Sequence, residues 1–413
     1  MMYTNWFVSI FRNLKILVFL FLLMTGVFSC GIFNSRLDFN QGEALESEYI
    51  DTIPFDYVRG KIIVPVTIEK DTFDFIFDSG APTIVSGKIM ERFSLPLLGA
   101  DTISDTHKNK ENRQIALINK ITLGNISFGN TPAIISSFNT LPWSCFEIDG
   151  LIGSNLLRNS VVKIDLNNRN LLISNSLRPQ MKASEMKNIS MKLDHQSSPY
   201  VHITFNENLQ RRFLFDTGSD DFINLNKSEF QEIKDEMAIK KLRSGYGSGT
   251  MGLFGPGEKK DTYKLKLDSL GFCKYRFTNP LLKVTAAGSK IGSQMLEYGP
   301  VILDYVNRKL YFFSETDPVE YKKLTPNEFG FSPVLENDQL KFGLIWENSV
   351  ADSIGLEPGY RILRINEYDF TSSLEASFCD IFIKNSLVAV DTLNIVFENL
   401  NGKRNTIQLI RKD

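Results

Sequence analysis

An internal repeat constrains this chain more than any other feature. An apolar run enters Asp-Ser-Gly at Asp78-Ser79-Gly80, and a second enters Asp-Thr-Gly at Asp216-Thr217-Gly218, 138 residues further on. Each triplet is followed at nearly the same distance by an apolar residue and a glycine, Ile152-Gly153 in the first half and Ile291-Gly292 in the second. Each half also closes on a matching strand pattern, in which Asp165 and Asp304, and Arg169 and Arg308, keep one offset. A lone Asp-hydroxyl-Gly triplet commonly makes a surface turn. Two of them in register with their surroundings imply two half-sites of one shared site.

The residue types at that site point to acid–base chemistry. Two carboxylates held within about 3 Å cannot both ionise, so one proton is shared and the pair offers a base and an acid at once. One carboxylate draws a proton from water while the other protonates or hydrogen-bonds a substrate carbonyl, and an amide becomes a tetrahedral diol without a covalent intermediate. Asp78 and Asp216 are the natural pair. Gly80 and Gly218 permit the tight loops, and the Ser79 and Thr217 hydroxyls can lock those loops to neighbouring backbone. Ser219 follows the second triplet where Ala81 follows the first, so Asp216 gains a hydroxyl donor. Asp216 is therefore expected to be the more readily ionised member, with activity reaching towards neutral pH.

These paired motifs resemble the two lobes of the pepsin and retropepsin aspartic peptidases, over about residues 50–315. The resemblance implies a peptide-hydrolysing cleft with Asp78 and Asp216 as catalytic pair, framed from below by Ile152-Gly153 and Ile291-Gly292, and a flap above it. The short spacing from each Asp to its Ile-Gly pair is nearer a fused retropepsin dimer than a long pepsin lobe. No Tyr lies between Leu95 and Lys120, where a first-lobe flap would present one. The glycine-rich segment Ser244 to Gly257 of the second lobe is the expected cover, carrying Tyr246, Gly247 and Gly249, with Tyr246 near the substrate. Gly247 to Gly252 also fits Gly-x-Gly-x-x-Gly, but the Leu-Phe-Gly-Pro-Gly that follows cannot open the helix a dinucleotide fingerprint needs.

Alternating and β-branched runs predict strands at Lys61–Ile68, Ile121–Phe128, Tyr200–Phe205 and Tyr263–Leu267. Short helices are predicted after each triplet, at Lys88–Phe93 and Lys227–Met237, the second capped by Asn226. A chain of 413 residues exceeds one core. The expected class is mostly β: two homologous acid-protease-like β lobes at 48–175 and 191–316, a polar linker at 176–190, and a small α+β domain at 322–413. In that last part Phe342 to Asn366, with Ser349-Val-Ala351 and Gly355-Leu-Glu-Pro-Gly359, resembles the core of a bacterial PDZ domain. The resemblance implies capture of peptide C-termini by strand addition at the loop Glu328-Phe329-Gly330-Phe331. Glu328 stands where that family has Gly, and Tyr360 where it has Asp. A helix over Ser373–Lys384 and a hairpin turning at Asn401-Gly402 would complete it.

Ahead of the lobes, Arg12 and Lys15 precede the apolar run Ile16 to Met24 and then Ser29-Cys30, the order of a signal peptide spanning 1–29. Resemblance to a lipoprotein signal implies Cys30 as the lipidated first residue of a mature chain. A tether over 30–47 would then anchor the protein in a Gram-negative cell envelope, on the periplasmic or outer-membrane surface. Cys145, Cys273 and Cys379 remain, an odd number on three segments, so single buried thiols are expected rather than a disulfide framework. Three histidines and no Cys-x-x-Cys give a zinc enzyme no ligands, and neither metal nor cofactor is implied. With 46 basic against 48 acidic residues, nothing calls for nucleic acid. The expected activity is that of a cell-envelope aspartic endopeptidase acting on peptide or protein substrates, its C-terminal domain taking substrate or partner C-termini. The alternative is a catalytically silent peptide-binding lipoprotein.

Overall fold

The computed structural model describes residues 37–322, 329–384 and 390–411. The signal peptide, Cys30 and Glu328 lie outside the described residues. The chain is mostly β, as its alternating runs predict.

Each half builds the same ladder. In the first, the hairpin of Lys61–Ile68 with Asp71–Asp78 sets Ile63 opposite Ile76. Phe73, Phe75 and Phe77 are buried while Thr72 and Asp74 face water, the period of two that a sheet imposes. Asp71–Asp78 also runs parallel to Gly150–Gly153, which puts Ile152 beside Phe77 and Gly153 beside Asp78. In the second half the hairpin of Pro199–Asn206 with Leu209–Asp216 sets Val201 opposite Phe213. Leu209–Asp216 runs parallel to Lys290–Gly292, with Ile291 beside Phe215 and Gly292 beside Asp216. Both predicted helices form. Gly87–Phe93 is capped by the Ser86 hydroxyl and Lys227–Ile233 by the Asn226 side chain, the latter helix ending four residues before Met237 and passing into a 3₁₀ turn at Lys234–Glu236. Ile121–Phe128 is the turn of a longer hairpin, Lys110–Leu123 with Ile126–Ser136, because Gly124 adopts φ +59°.

The repeated closing strands meet each other. Val161–Asp165 pairs antiparallel with Val301–Asp304 at the centre of a six-stranded sheet that joins the lobes. Asp165 and Asp304 end these strands in the same turn, each accepting from the backbone N–H and side-chain amide of the Asn three residues on. Arg169 and Arg308 hold positive φ there, 50° and 56°.

Three expectations need correction. Residues 39–47 are packed rather than a tether: Phe39 is buried, its carbonyl accepts from Asn155, and Glu43–Ala44 pairs with the strand Ile126–Ser136. The linker 176–190 carries short 3₁₀ turns and then Lys187–Ser190, which extends the joining sheet beside Lys309–Phe312. Its polar composition reflects an edge strand, whose outer row faces solvent. Third, Cys145 and Cys379 form a disulfide across 234 residues, while Cys273 is free and buried. Counting cysteines cannot detect a bridge between two separately built domains.

The C-terminal domain runs in the order strands Phe331–Glu336, Gln339–Trp346 and Arg361–Ile365, helix Leu374–Lys384, then Thr392–Glu398 with Arg404–Ile410. Phe342, Ile362, Leu393, Ile395 and Leu409 make its core. It is fastened to both lobes. Gln339–Trp346 pairs with Ile239–Gly247 of the second lobe, setting Gly245 against Trp346 and Gly247 against Leu344. Its helix is disulfide-bonded to the first lobe, where Phe382 packs edge-on against Phe146 at 5.6 Å and under the Arg59 guanidinium at 5.0 Å.

Candidate active site

Asp78 and Asp216 each end a buried strand whose preceding phenylalanines, Phe75, Phe77, Phe213 and Phe215, are fully enclosed. A rigid apolar platform therefore delivers each carboxyl to the interface between the lobes. How closely they meet is measured by the glycines. A Cβ on Gly80 would lie 2.7 Å from Asp216 Oδ1, and one on Gly218 would lie 2.2 Å from Asp78 Oδ2. Each triplet's glycine is thus the floor beneath the other triplet's carboxyl, a space no side chain can share.

The hydroxyl residues lock this arrangement reciprocally. Thr217 Oγ1 donates to the Phe77 carbonyl at 2.9 Å and accepts from the Ser79 N–H at 2.9 Å. Ser79 Oγ donates to the Phe215 carbonyl at 2.7 Å and accepts from the Thr217 N–H at 3.1 Å. Both side chains are fully buried. The bonds cross from one lobe to the other, so the hydroxyls secure the opposite half rather than their own loops alone. A further buried bond runs from Ser154 Oγ, beside Gly153, to the Ser79 carbonyl at 2.7 Å.

The electrostatics are asymmetric. Burial, then the neighbouring Asp216, push the Asp78 carboxyl up to about 7, against the Gly80 N–H at 2.8 Å and the Lys61 and Lys290 ammonium groups. Asp216 instead receives a cation: Lys290 Nζ lies 3.1 Å from its Oδ2, and both side chains are nearly enclosed. The donor expected from Ser219 is therefore replaced. Ser219 contributes backbone, its N–H donating to the Asp216 carbonyl at 3.1 Å. Lys290 was legible only as a broken symmetry, a lysine where the first half carries Leu151. Lys61 also enters from the first lobe, donating to the Gly218 carbonyl at 2.5 Å.

A hairpin tip near Lys290 is held by both halves. The polar stretch of the first half forms a hairpin, Leu97–Ser104 with Lys110–Leu123, whose tip is organised by Asp105 accepting from the N–H groups of His107 and Asn109, each at 2.9 Å. The glycine-rich segment of the second half leans on that tip. Thr250 Oγ1 meets His107 Nε2 at 3.2 Å, the Phe254 N–H donates to Asp105 at 3.1 Å, and the Arg113 guanidinium lies 5.2 Å over the Phe254 ring. On its other side Met251 packs against the C-terminal core, Gly247 pairs with Leu344, and a Cβ on Gly249 would lie 3.1 Å from Leu344 and 3.2 Å from Ser332. A cavity of about 300 Å³ lies behind this contact, lined by His107, Thr250, Lys283 and Trp346 among others, away from the carboxylates. Tyr246 is 53% exposed and its backbone pairs with Ile345 of the C-terminal domain. Sequence reasoning missed the first-lobe hairpin because it looked for a Tyr in a stretch whose polar alternation is that of a solvated hairpin.

In the C-terminal domain Phe329 is buried beneath the Arg411 guanidinium, Gly330 takes φ +92° with its carbonyl accepting from the Trp346 N–H at 2.9 Å, and Phe331 packs edge-on against Phe342 at 4.9 Å.

No curated protein matches the chain. Among solved structures, basic 7S globulin from soybean matches with 12% identity and a TM-score of 0.39, over 66% of this chain and 96% of its own. Residues 64–156, which carry Asp78, Ser79, Gly80, Ile152 and Gly153, match the family of aspartyl proteases.

Proposed function

We propose that the protein is an aspartic endopeptidase of the cell envelope. The observation that carries the reading is the reciprocal Ser79–Thr217 lock, which presents Asp78 and Asp216 to one another from two halves of one chain. A water held between the carboxyls loses a proton to Asp216 and attacks the peptide carbonyl carbon. Asp78 gives its proton to the carbonyl oxygen; the resulting diol collapses as Asp216 passes its proton to the leaving amine nitrogen and Asp78 takes back a proton from one diol hydroxyl, which breaks the C–N bond and restores the pair. A segment lying extended beneath the hairpin Leu97–Leu123 would be the substrate.

Export and lipidation at Cys30 are supported by the signal pattern and by the Cys145–Cys379 disulfide, a bond that persists in oxidising compartments. A PDZ-like role for the C-terminal domain, taking peptide C-termini near Phe329, Gly330 and Phe331, draws support from its element order. A second reading, a catalytically silent binding protein, is favoured by one observation, the ion pair of Lys290 with Asp216. A peptide-library digest read by mass spectrometry decides between them. Cleavage by residues 31–413 that Asp78→Asn and Asp216→Asn each abolish establishes the shared pair. Three equally inert proteins would overturn the peptidase reading.

A further inference from the structure

The strands that run beside the two carboxylate strands correspond in register, and they differ in charge at one nearly enclosed position. In the first, Leu151 pairs with Ile76, two residues ahead of Asp78, and is 4% exposed. In the second, Lys290 pairs with Leu214, two residues ahead of Asp216, and its side chain is 13% exposed. An ammonium in a buried strand is costly unless it is paired and hydrogen-bonded. Its partners come from both halves: Asp216 Oδ2 at 3.1 Å, and Thr106 Oγ1 at the tip of the first-lobe hairpin at 3.4 Å.

Among the described residues, Tyr200 of the strand Pro199–Asn206 is one titratable group that feels Asp216. Asp78 and Lys61 face this point from the first lobe's strands, and His107 from the hairpin tip, beside Asp105. Asp221, which follows the second triplet, is itself held by Lys283. A cation beside one member of a carboxyl pair favours that member's charged form, and repulsion between the two then leaves the shared proton on the other.

We propose that Lys290 is a resident positioning residue of the pair: its ammonium, tied to the hairpin through Thr106, keeps Asp216 ionised and so assigns Asp216 as base and Asp78 as acid. The assignment deepens the peptidase reading and rests on it for its consequence in catalysis. Burial pulls the lysine's own pKa down, and Asp216, Asp221 and Asp78 more than offset this, so it stays charged. The raised Asp78 carboxyl agrees with the proton residing there.

The test compares wild type, Lys290→Leu, which installs the first half's own residue, and Lys290→Arg. The ¹³C shifts of the two carboxyls are followed across pH, assigned with Asp78→Asn and Asp216→Asn, and kcat/KM on a cleaved peptide is measured over the same range. Lys290→Leu should raise the lower of the two pKa values, and the acid limb of the profile with it, by about 1 to 3 units, and Lys290→Arg should restore it. A lower pKa that stays where it is in Lys290→Leu overturns the inference. Should that variant not fold, wild type alone decides, because Asp216 ionising after Asp78 overturns it equally. A shifted titration without cleavage of any peptide keeps the lysine's role and removes the peptidase reading, so the two failures are distinguishable.

Discussion

Removing a single oxygen from the lock between the halves should cost more than most core truncations of the same size. Thr217→Val is nearly isosteric, yet it deletes the atom that donates to the Phe77 carbonyl and accepts from the Ser79 N–H, both at 2.9 Å and both buried. Each buried polar group left without its partner costs about 1 to 3 kcal/mol, and the extra methyl recovers up to about 0.8 kcal/mol. The net loss is about 1 to 5 kcal/mol. Because the orphaned groups belong to the opposite half, the Asp78 loop should loosen as well, and cleavage should fall with stability. Chemical denaturation of wild type, Thr217→Val and Thr217→Ser reads the difference, and the serine variant should stay within about 1 kcal/mol because it keeps both bonds. A valine variant as stable as the serine variant would refute the claim that these crossed bonds hold the halves together.

Asp78 gives a pH-dependent stability. Its folded pKa of about 7 lies above that of an unfolded aspartate, so its contribution is complete in acid and is lost as pH rises through 7. Asp78→Asn should therefore gain on wild type by about 2 kcal/mol between pH 4 and pH 8, less than the roughly 4 kcal/mol of a fully enclosed group because Asp78 keeps some contact with solvent. Denaturation at the two pH values tests this, and an equal difference at both counts against it. Replacing Cys145 and Cys379 by serine should lower stability by about 2 to 5 kcal/mol and raise amide exchange in the helix Leu374–Lys384, whose exchange would otherwise be unchanged by reduction.

What the sequence made legible were the parts fixed by local pattern and by repetition. The triplets, the Ile-Gly strands and the helices capped by Ser86 and Asn226 follow from residues close in the chain, and the repeat pairs the halves without reference to distance. The features that were missed depend on contacts between segments far apart. Lys290 is meaningful only beside Asp216 and Thr106, the Cys145–Cys379 bond only once two domains are docked, and the hairpin tip only against the glycine-rich segment that leans on it. The segment around Tyr246 was read incompletely for the same reason. Its glycine neighbours signal close approach of backbone, and the backbone that approaches them is Gln339–Trp346.

The double attachment of the C-terminal domain closes a mechanical circuit. One strand is continuous with the second lobe's sheet, and one helix is bonded covalently to the first. A body fixed at two points to two plates cannot hinge on its own, so widening of the cleft and displacement of this domain become a single degree of freedom. Anything that loads the domain changes the stiffness felt at Asp78 and Asp216, and a chain truncated after Phe313 would lose a strut before it lost a binding module.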